Sequence, residues 1–125
     1  MQTGSDRSWA EINLNNLARN MHAIRTLVGP KTKIMAVVKA NAYGHGSIRV
    51  SRVLLENGAD RLAVACIDEA LCLRRSGIDC PIQVLSRTCP DRAEEAVDNH
   101  LIQTVYDMEL ASGLSRAACK KNKKA

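Results

Sequence analysis

Four short apolar runs recur about two dozen residues apart, each too brief for a helix. They are Lys33–Val38 (KIMAVV), Arg61–Ala65 (RLAVA), Ile82–Leu85 (IQVL) and Leu101–Val105 (LIQTV). Their near-continuous apolar character predicts strands covered on both faces. Between them lie helical stretches, Ile48–Asn57, Ile67–Ser76 and Asp91–Asn99, and a last one, Asp107–Lys120, follows. Strand and helix in alternation imply parallel strands joined by helical crossovers. Two architectures satisfy that rhythm: a small open doubly wound sheet, or the first half of a (β/α) barrel, whose closed form needs eight strands.

Local signals refine the plan. Ser8–Ile12 (SWAEI) alternates as a short strand. Asn13 is placed to cap a helix with Leu14, Leu17, Met21, Ile24 and Leu27 on one face, and Gly29-Pro30 ends it. Ser47 is a candidate N-cap for the next helix, with Gly58 and Gly77 as stops further on. The division expected is a tail and short strand over 1–12, then a partial barrel over 13–125.

Composition narrows the function classes. The net charge is +5, but Lys120, Lys121, Lys123 and Lys124 carry most of that excess, so the body is close to neutral. No broad phosphate-binding face is expected, and the lysine run reads as a solvated turn or frayed end. The five cysteines contain no CxxC pair, so neither a metal site nor a disulfide framework is expected. They read as reduced thiols of a cytoplasmic protein, with Cys66 and Cys72 buried. No apolar run approaches the length of a membrane span, and the polar start is unlike a secretory signal.

The segment Ala36–Gly46, AVVKANAYGHG, carries the chemistry. Lys39 follows a buried strand directly, at the carboxyl end where both candidate folds collect their active sites. Apolar surroundings lower an ammonium's pKa, which frees the amine as nucleophile or base. A carbonyl partner would form a Schiff base with it. Tyr43 can donate to a phosphate oxygen, and Gly44 and Gly46 let the backbone approach a ligand closely. Pyridoxal 5′-phosphate offers both groups, an aldehyde at one end and a phosphate at the other. His45 is read as orienting the loop. His22 and His100 are read as structural, and Asp68-Glu69, Asp107 and Glu109 as helix-start carboxylates favoured by the dipole.

This segment resembles the signature of the alanine racemase family, close to V-x-K-A-[DN]-[AG]-Y-G-H-G. SWAEINLNNLARN and NGADRLAVACIDEALCLRRSGIDCPIQVLS are also similar to that family's text, so the likeness spans residues 8–106. The resemblance implies the N-terminal half of a (β/α)8 barrel, with about four parallel strands, crossover helices and a preceding orphan strand. It implies Lys39 as the Schiff-base lysine that exchanges the substrate Cα proton on one face, Tyr43 on the cofactor phosphate, and Leu85 beside the cofactor ring.

The implied reaction interconverts L- and D-alanine, supplying D-alanine for peptidoglycan in the cytoplasm, in a homodimer. Family members are roughly three times as long and take their second base, a tyrosine, from the partner's C-terminal domain. The expectation is therefore a racemase fragment that does not turn over alone. The alternatives are a pyridoxal phosphate-binding module without turnover and a racemase of other amino acids such as serine. No nucleic acid, membrane or metal enters the expectation.

Overall fold

The structure is a computed structural model and describes residues 9–125. It contains β1 (Met35–Val37), β2 (Arg61–Val64), β3 (Ile82–Val84) and β4 (Leu101–Gln103). All neighbours are parallel, in the order β1-β2-β3-β4. Each strand pairs with the one just before it in sequence, and the order never reverses. A doubly wound sheet has a reversal at its switch point, whereas a barrel winds steadily one way. The winding is that of the barrel, and four strands make half of one.

The helices are α1 (Leu14–Val28), α2 (Ser47–Glu56), α3 (Ile67–Arg75), α4 (Ala93–Asp98) and α5 (Met108–Lys121). Right-handed crossovers that all step the same way put the helices on one face. The register shows the result. Leu62, Ile82 and Leu101 form one paired row and are buried. The next row, Val37, Ala63, Gln83 and Ile102, lies on the opposite face. Its end members on the two edge strands are open to solvent, Val37 at 42% and Ile102 at 40%. The expected burial of every strand on both faces thus fails for β1 and β4, because nothing among the described residues covers that face at the two edges.

Element ends depart from the expectations for physical reasons. The first strand starts later than Lys33 because the Lys33 side chain and the Ile34 N–H turn to the Asp60 carboxylate, while the Ile34 carbonyl accepts from the Asp60 and Arg61 N–H groups. Lys33 Nζ lies 3.1 Å from Asp60 Oδ1, and the Ile34 N–H donates to Oδ2 at 2.7 Å. Asn13 caps α1 as expected, accepting from the Asn16 N–H at 3.0 Å. Ser47 is not a cap but the first residue of α2, after Gly46. Pro90–Arg92 forms a 3-10 turn, so the third crossover helix starts only at Ala93.

Trp9–Ile12 forms no strand, since it has no hydrogen-bonded neighbour among the described residues, and Ser8 lies outside them. On α1, Met21 is buried but Ile24 and Leu27 are exposed, so the apolar stripe overhangs the core. Cys66 and Cys72 are exposed rather than buried. Cys66 stands at the start of α3, and Cys72 falls between the inward positions Ala70 and Leu73. The lysine run is not frayed: Lys120 reaches Glu94 at 2.7 Å and Lys121 reaches Asp98 at 2.9 Å, tying α5 to α4.

Two arginines hold the end of the sheet where strands begin. Arg25 donates to the carbonyls of Gly58, Gly29 and Thr32, and to the Asp60 carboxylate. A Cβ on Gly58 would sit 3.1 Å from Arg25 Cγ, and Gly58 has φ +115°, so only glycine fits there. Arg74 donates to the carbonyls of Ile78, Cys80, Asn99 and His100.

The Ile34 N–H, Lys33 and Arg25 together hold the Asp60 carboxyl well below the usual carboxylate range. A carboxyl depressed in the folded state contributes stability that is complete above its unfolded pKa, about 3.9, and disappears as pH falls through the folded value. Asp60→Asn is therefore expected to lower the urea midpoint at neutral pH and to flatten its fall below about pH 4. Urea titrations of both proteins across that range check this.

Candidate active site

The carboxyl end of β1 runs into a segment of unusual backbone. Ala40, Asn41, Ala42 and Tyr43 have φ of 50°, 54°, 54° and 55°. This is one turn of left-handed helix, which L-residues other than glycine and asparagine rarely adopt. Lys39 opens the turn and Tyr43 closes it. The Ala42 N–H donates to Val38 O at 2.9 Å and the Gly44 N–H to Ala40 O at 3.1 Å, so the turn is hydrogen-bonded throughout. At about 1–2 kcal/mol per residue, Ala40, Ala42 and Tyr43 store several kcal/mol of strain.

Three side chains hold it. Asn41 Oδ1 accepts from the Ser47 N–H at 2.8 Å, joining the turn to the start of α2. His45 Nδ1 lies 2.9 Å from Ala42 O, which fits its expected role in orienting the loop. Glu69, on α3, accepts from the Ala40 N–H through Oε1 and from the Ala65 N–H through Oε2, both at 2.8 Å. Sequence reasoning assigned Glu69 to the helix dipole alone and did not single out Asn41. Asparagine's tolerance of left-handed backbone was the available signal for Asn41. The reach of Glu69 from α3 to β1 had no signal in sequence.

The predicted residues fall as follows. Lys39 is half-buried, and no ion pair among the described residues engages it. Tyr43 is exposed. Leu85 is half-buried just past β3. Its N–H donates to Val64 O at 2.9 Å, and its carbonyl accepts from the Tyr106 hydroxyl at 2.7 Å. Val37, Ala63 and Gln83 share a row, and Lys39 and Leu85 stand two residues beyond its outer members. They therefore meet at the same end of the sheet, two strand spacings or about 10 Å apart.

A recess of about 550 Å³ lies elsewhere, between β4 and α5, and neither Lys39 nor Tyr43 lines it. Among the described residues no cluster suits a metal ion.

The family model for the N-terminal domain of alanine racemase matches residues 12–125. The chain belongs to the alanine racemase family. It is 56% identical over 117 residues to an alanine racemase of Clostridium perfringens, covering 94% of this chain and 30% of that protein. It is 50% identical over 115 residues to an alanine racemase of Methanococcus maripaludis, covering 92% and 31%. In structure it matches an alanine racemase of Clostridium difficile in complex with cycloserine, with TM-score 0.91 and 38% identity. That match covers 98% of this chain and 34% of the other. The chain thus spans about a third of the length of its alanine racemase relatives. The family uses pyridoxal phosphate, and the donors here suit it. They are a primary amine at a strand end, a phenol one turn later, and glycines 44 and 46 with no atom within 4 Å of where a Cβ would stand.

If the left-handed backbone is strained, glycine at an exposed position of the turn relieves it. Ala40→Gly should raise stability by about 1 kcal/mol, offset in part by the greater freedom of glycine in the unfolded chain. Ala23→Gly, at an exposed position of right-handed α1, should lower it by about 1 kcal/mol. Opposite shifts of the denaturation midpoint check the pair.

Proposed function

We propose that this chain provides the cofactor-attachment half of an active site that interconverts L- and D-alanine. Lys39 attaches pyridoxal phosphate covalently and moves a proton at the substrate Cα on one face, and Tyr43 holds the phosphate. Leu85 packs beside the ring from the end of β3. The single observation that carries this reading is the strained, hydrogen-bonded turn that sets Lys39 and Tyr43 one turn apart at the carboxyl end of β1. Left-handed backbone at non-glycine residues persists only where surrounding structure enforces it, and such strain clusters at functional sites.

Each residue's part follows from its place. A half-buried amine at the end of β1, engaged by no ion pair among the described residues, is placed to condense with an aldehyde. The exposed phenol of Tyr43 is free to donate to an anionic oxygen. Gly44 and Gly46 carry no side chain that would keep a ligand from the loop, whose own N–H groups are held by Ala40 O, Ala42 O and Asn41 O. When bound, pyridoxal phosphate supplies an electron sink for the pair left behind as the Cα proton departs. The fuller role goes with this reading: D-alanine supply for peptidoglycan, in the cytoplasm, by a homodimer.

A second reading, cofactor binding without turnover, is favoured by the open sheet face. Racemisation needs a proton exchanger on each side of the substrate and a site closed to water. Here Val37 and Ile102 are open to solvent on the same face of the sheet.

The deciding experiment is borohydride reduction after incubation with pyridoxal phosphate, followed by peptide mass analysis. The pyridoxyl group is expected on Lys39, to be lost in Lys39→Ala, and to require about tenfold more cofactor in Tyr43→Phe. Labelling spread over surface lysines would overturn the assignment. Decay of optical rotation in L-alanine then separates turnover from binding alone.

A further inference from the structure

We propose that Glu69 is a positioning residue, whose carboxylate fixes the left-handed turn and thereby sets where Lys39 and Tyr43 stand. The inference rests on the assignment of those two residues to the cofactor and extends it to a side chain on a different βα unit.

The local chemistry of Glu69 accounts for only half of its contacts. It is the third residue of α3, and a glutamate there commonly reaches back to a backbone N–H at the helix start. Oε2 does this, accepting from Ala65 at 2.8 Å. Oε1 instead leaves its own unit and accepts from Ala40, the first left-handed residue, at 2.8 Å. Ala65 directly follows β2, and Ala40 lies three residues beyond β1. One carboxylate therefore joins the ends of two neighbouring strands at the level where the site forms. Glu69 is half-buried, so both charge-assisted bonds are partly shielded from water and stronger for it.

The need for such a clamp follows from the strain. Ala40 and Ala42 lack the side-chain oxygen that lets asparagine tolerate left-handed backbone. If the Ala40 N–H loses its acceptor, the turn loses the bond at its entrance, and a right-handed or extended path becomes competitive. Either path would move the lysine and the phenol relative to each other. Asp68, the adjacent carboxylate, provides the internal control. It sits in the same first turn and feels the same dipole, but its partner is Arg92 at 2.8 Å on the neighbouring crossover.

The test compares Glu69→Ala, Glu69→Gln and Asp68→Asn in the full chain with two measurements. The first is amide hydrogen exchange over residues 40–46 without cofactor, which does not depend on the cofactor assignment. Glu69→Ala should accelerate exchange of the Ala40–Gly46 amides by about ten- to a hundredfold while the strand amides of β2 and β3 keep their protection. Glu69→Gln keeps one acceptor oxygen and should fall between it and the parent, and Asp68→Asn should match the parent. The second is the pyridoxal phosphate concentration needed to label Lys39 under borohydride. It should rise in the same order, with Asp68→Asn unchanged.

If exchange over 40–46 in folded Glu69→Ala or Glu69→Gln equals the parent's, the clamp is refuted. If exchange rises but labelling of Lys39 is unaltered, the clamp stands as structure and its positioning role is refuted. If the parent itself is never labelled at Lys39, the cofactor assignment fails, and with it that role, while the exchange result still judges the clamp.

Discussion

A left-handed turn made of ordinary L-residues cannot hold itself. Each residue in it puts Cβ too close to the following carbonyl oxygen, so the turn after β1 exists only because other parts of the fold outbid the right-handed alternative. Its supports come from three directions: the start of α2 through Ser47, the loop itself through His45, and α3 through Glu69. The support from α3 requires β1 and β2 to be paired in register. Parallel pairing of the first two strands and the shape of the lysine-bearing turn are consequently one cooperative problem. Ala42, at the centre of the turn, is buried against the core, which couples the turn to packing as well as to hydrogen bonds.

That cooperativity explains which parts of the molecule were legible in the sequence. The apolar runs read correctly as four parallel strands, because strands packed under helices leave a near-continuous apolar signature. Asn13 read correctly as a cap, because its contact lies within one turn. Lys39 and Tyr43 stand out in the sequence by their spacing and by the likeness of AVVKANAYGHG to a known family. The conformation linking them does not. No propensity places alanine at positive φ, and the residue that enforces it lies 29 positions away. Cys66 and Cys72 misled for a related reason: composition marks cysteine as a buried residue type, but the inward face of α3 was already taken by Ile67, Ala70 and Leu73. The choice between open sheet and barrel also lay beyond local pattern, since it is a matter of strand order alone.

The two ends of the sheet use opposite chemistry, and the backbone dictates which. Where helices finish and strands begin, carbonyl oxygens lose their partners and carry the negative end of the helix dipole. Arginine suits that end, and Arg25 and Arg74 each collect carbonyls from loops that are far apart in sequence. Where strands finish and helices begin, the unpaired groups are N–H donors. A carboxylate suits that end, and Glu69 takes one donor from each of two strand exits. Asp107 serves the start of its own helix α5, accepting from the Leu110 N–H at 2.8 Å.

The asymmetry has a functional consequence. An arginine with five donors binds several carbonyls at once, so Arg25 and Arg74 each tie several chain segments together at the strand-start end. At the strand-exit end Glu69 takes the N–H groups of Ala40 and Ala65, and those of Gly44, His45, Gly46 and Ser47 are taken by Ala40 O, Ala42 O, Asn41 O and Asn41 Oδ1. An anion seated there would rely on side-chain donors, and the exposed phenol of Tyr43 is one. Stability therefore collects at one end of the sheet and chemistry at the other, a division typical of barrels. The strained turn lies at the end away from both arginines, and a phosphate arriving there would meet the exposed phenol of Tyr43 beside Gly44 and Gly46 without displacing either arginine.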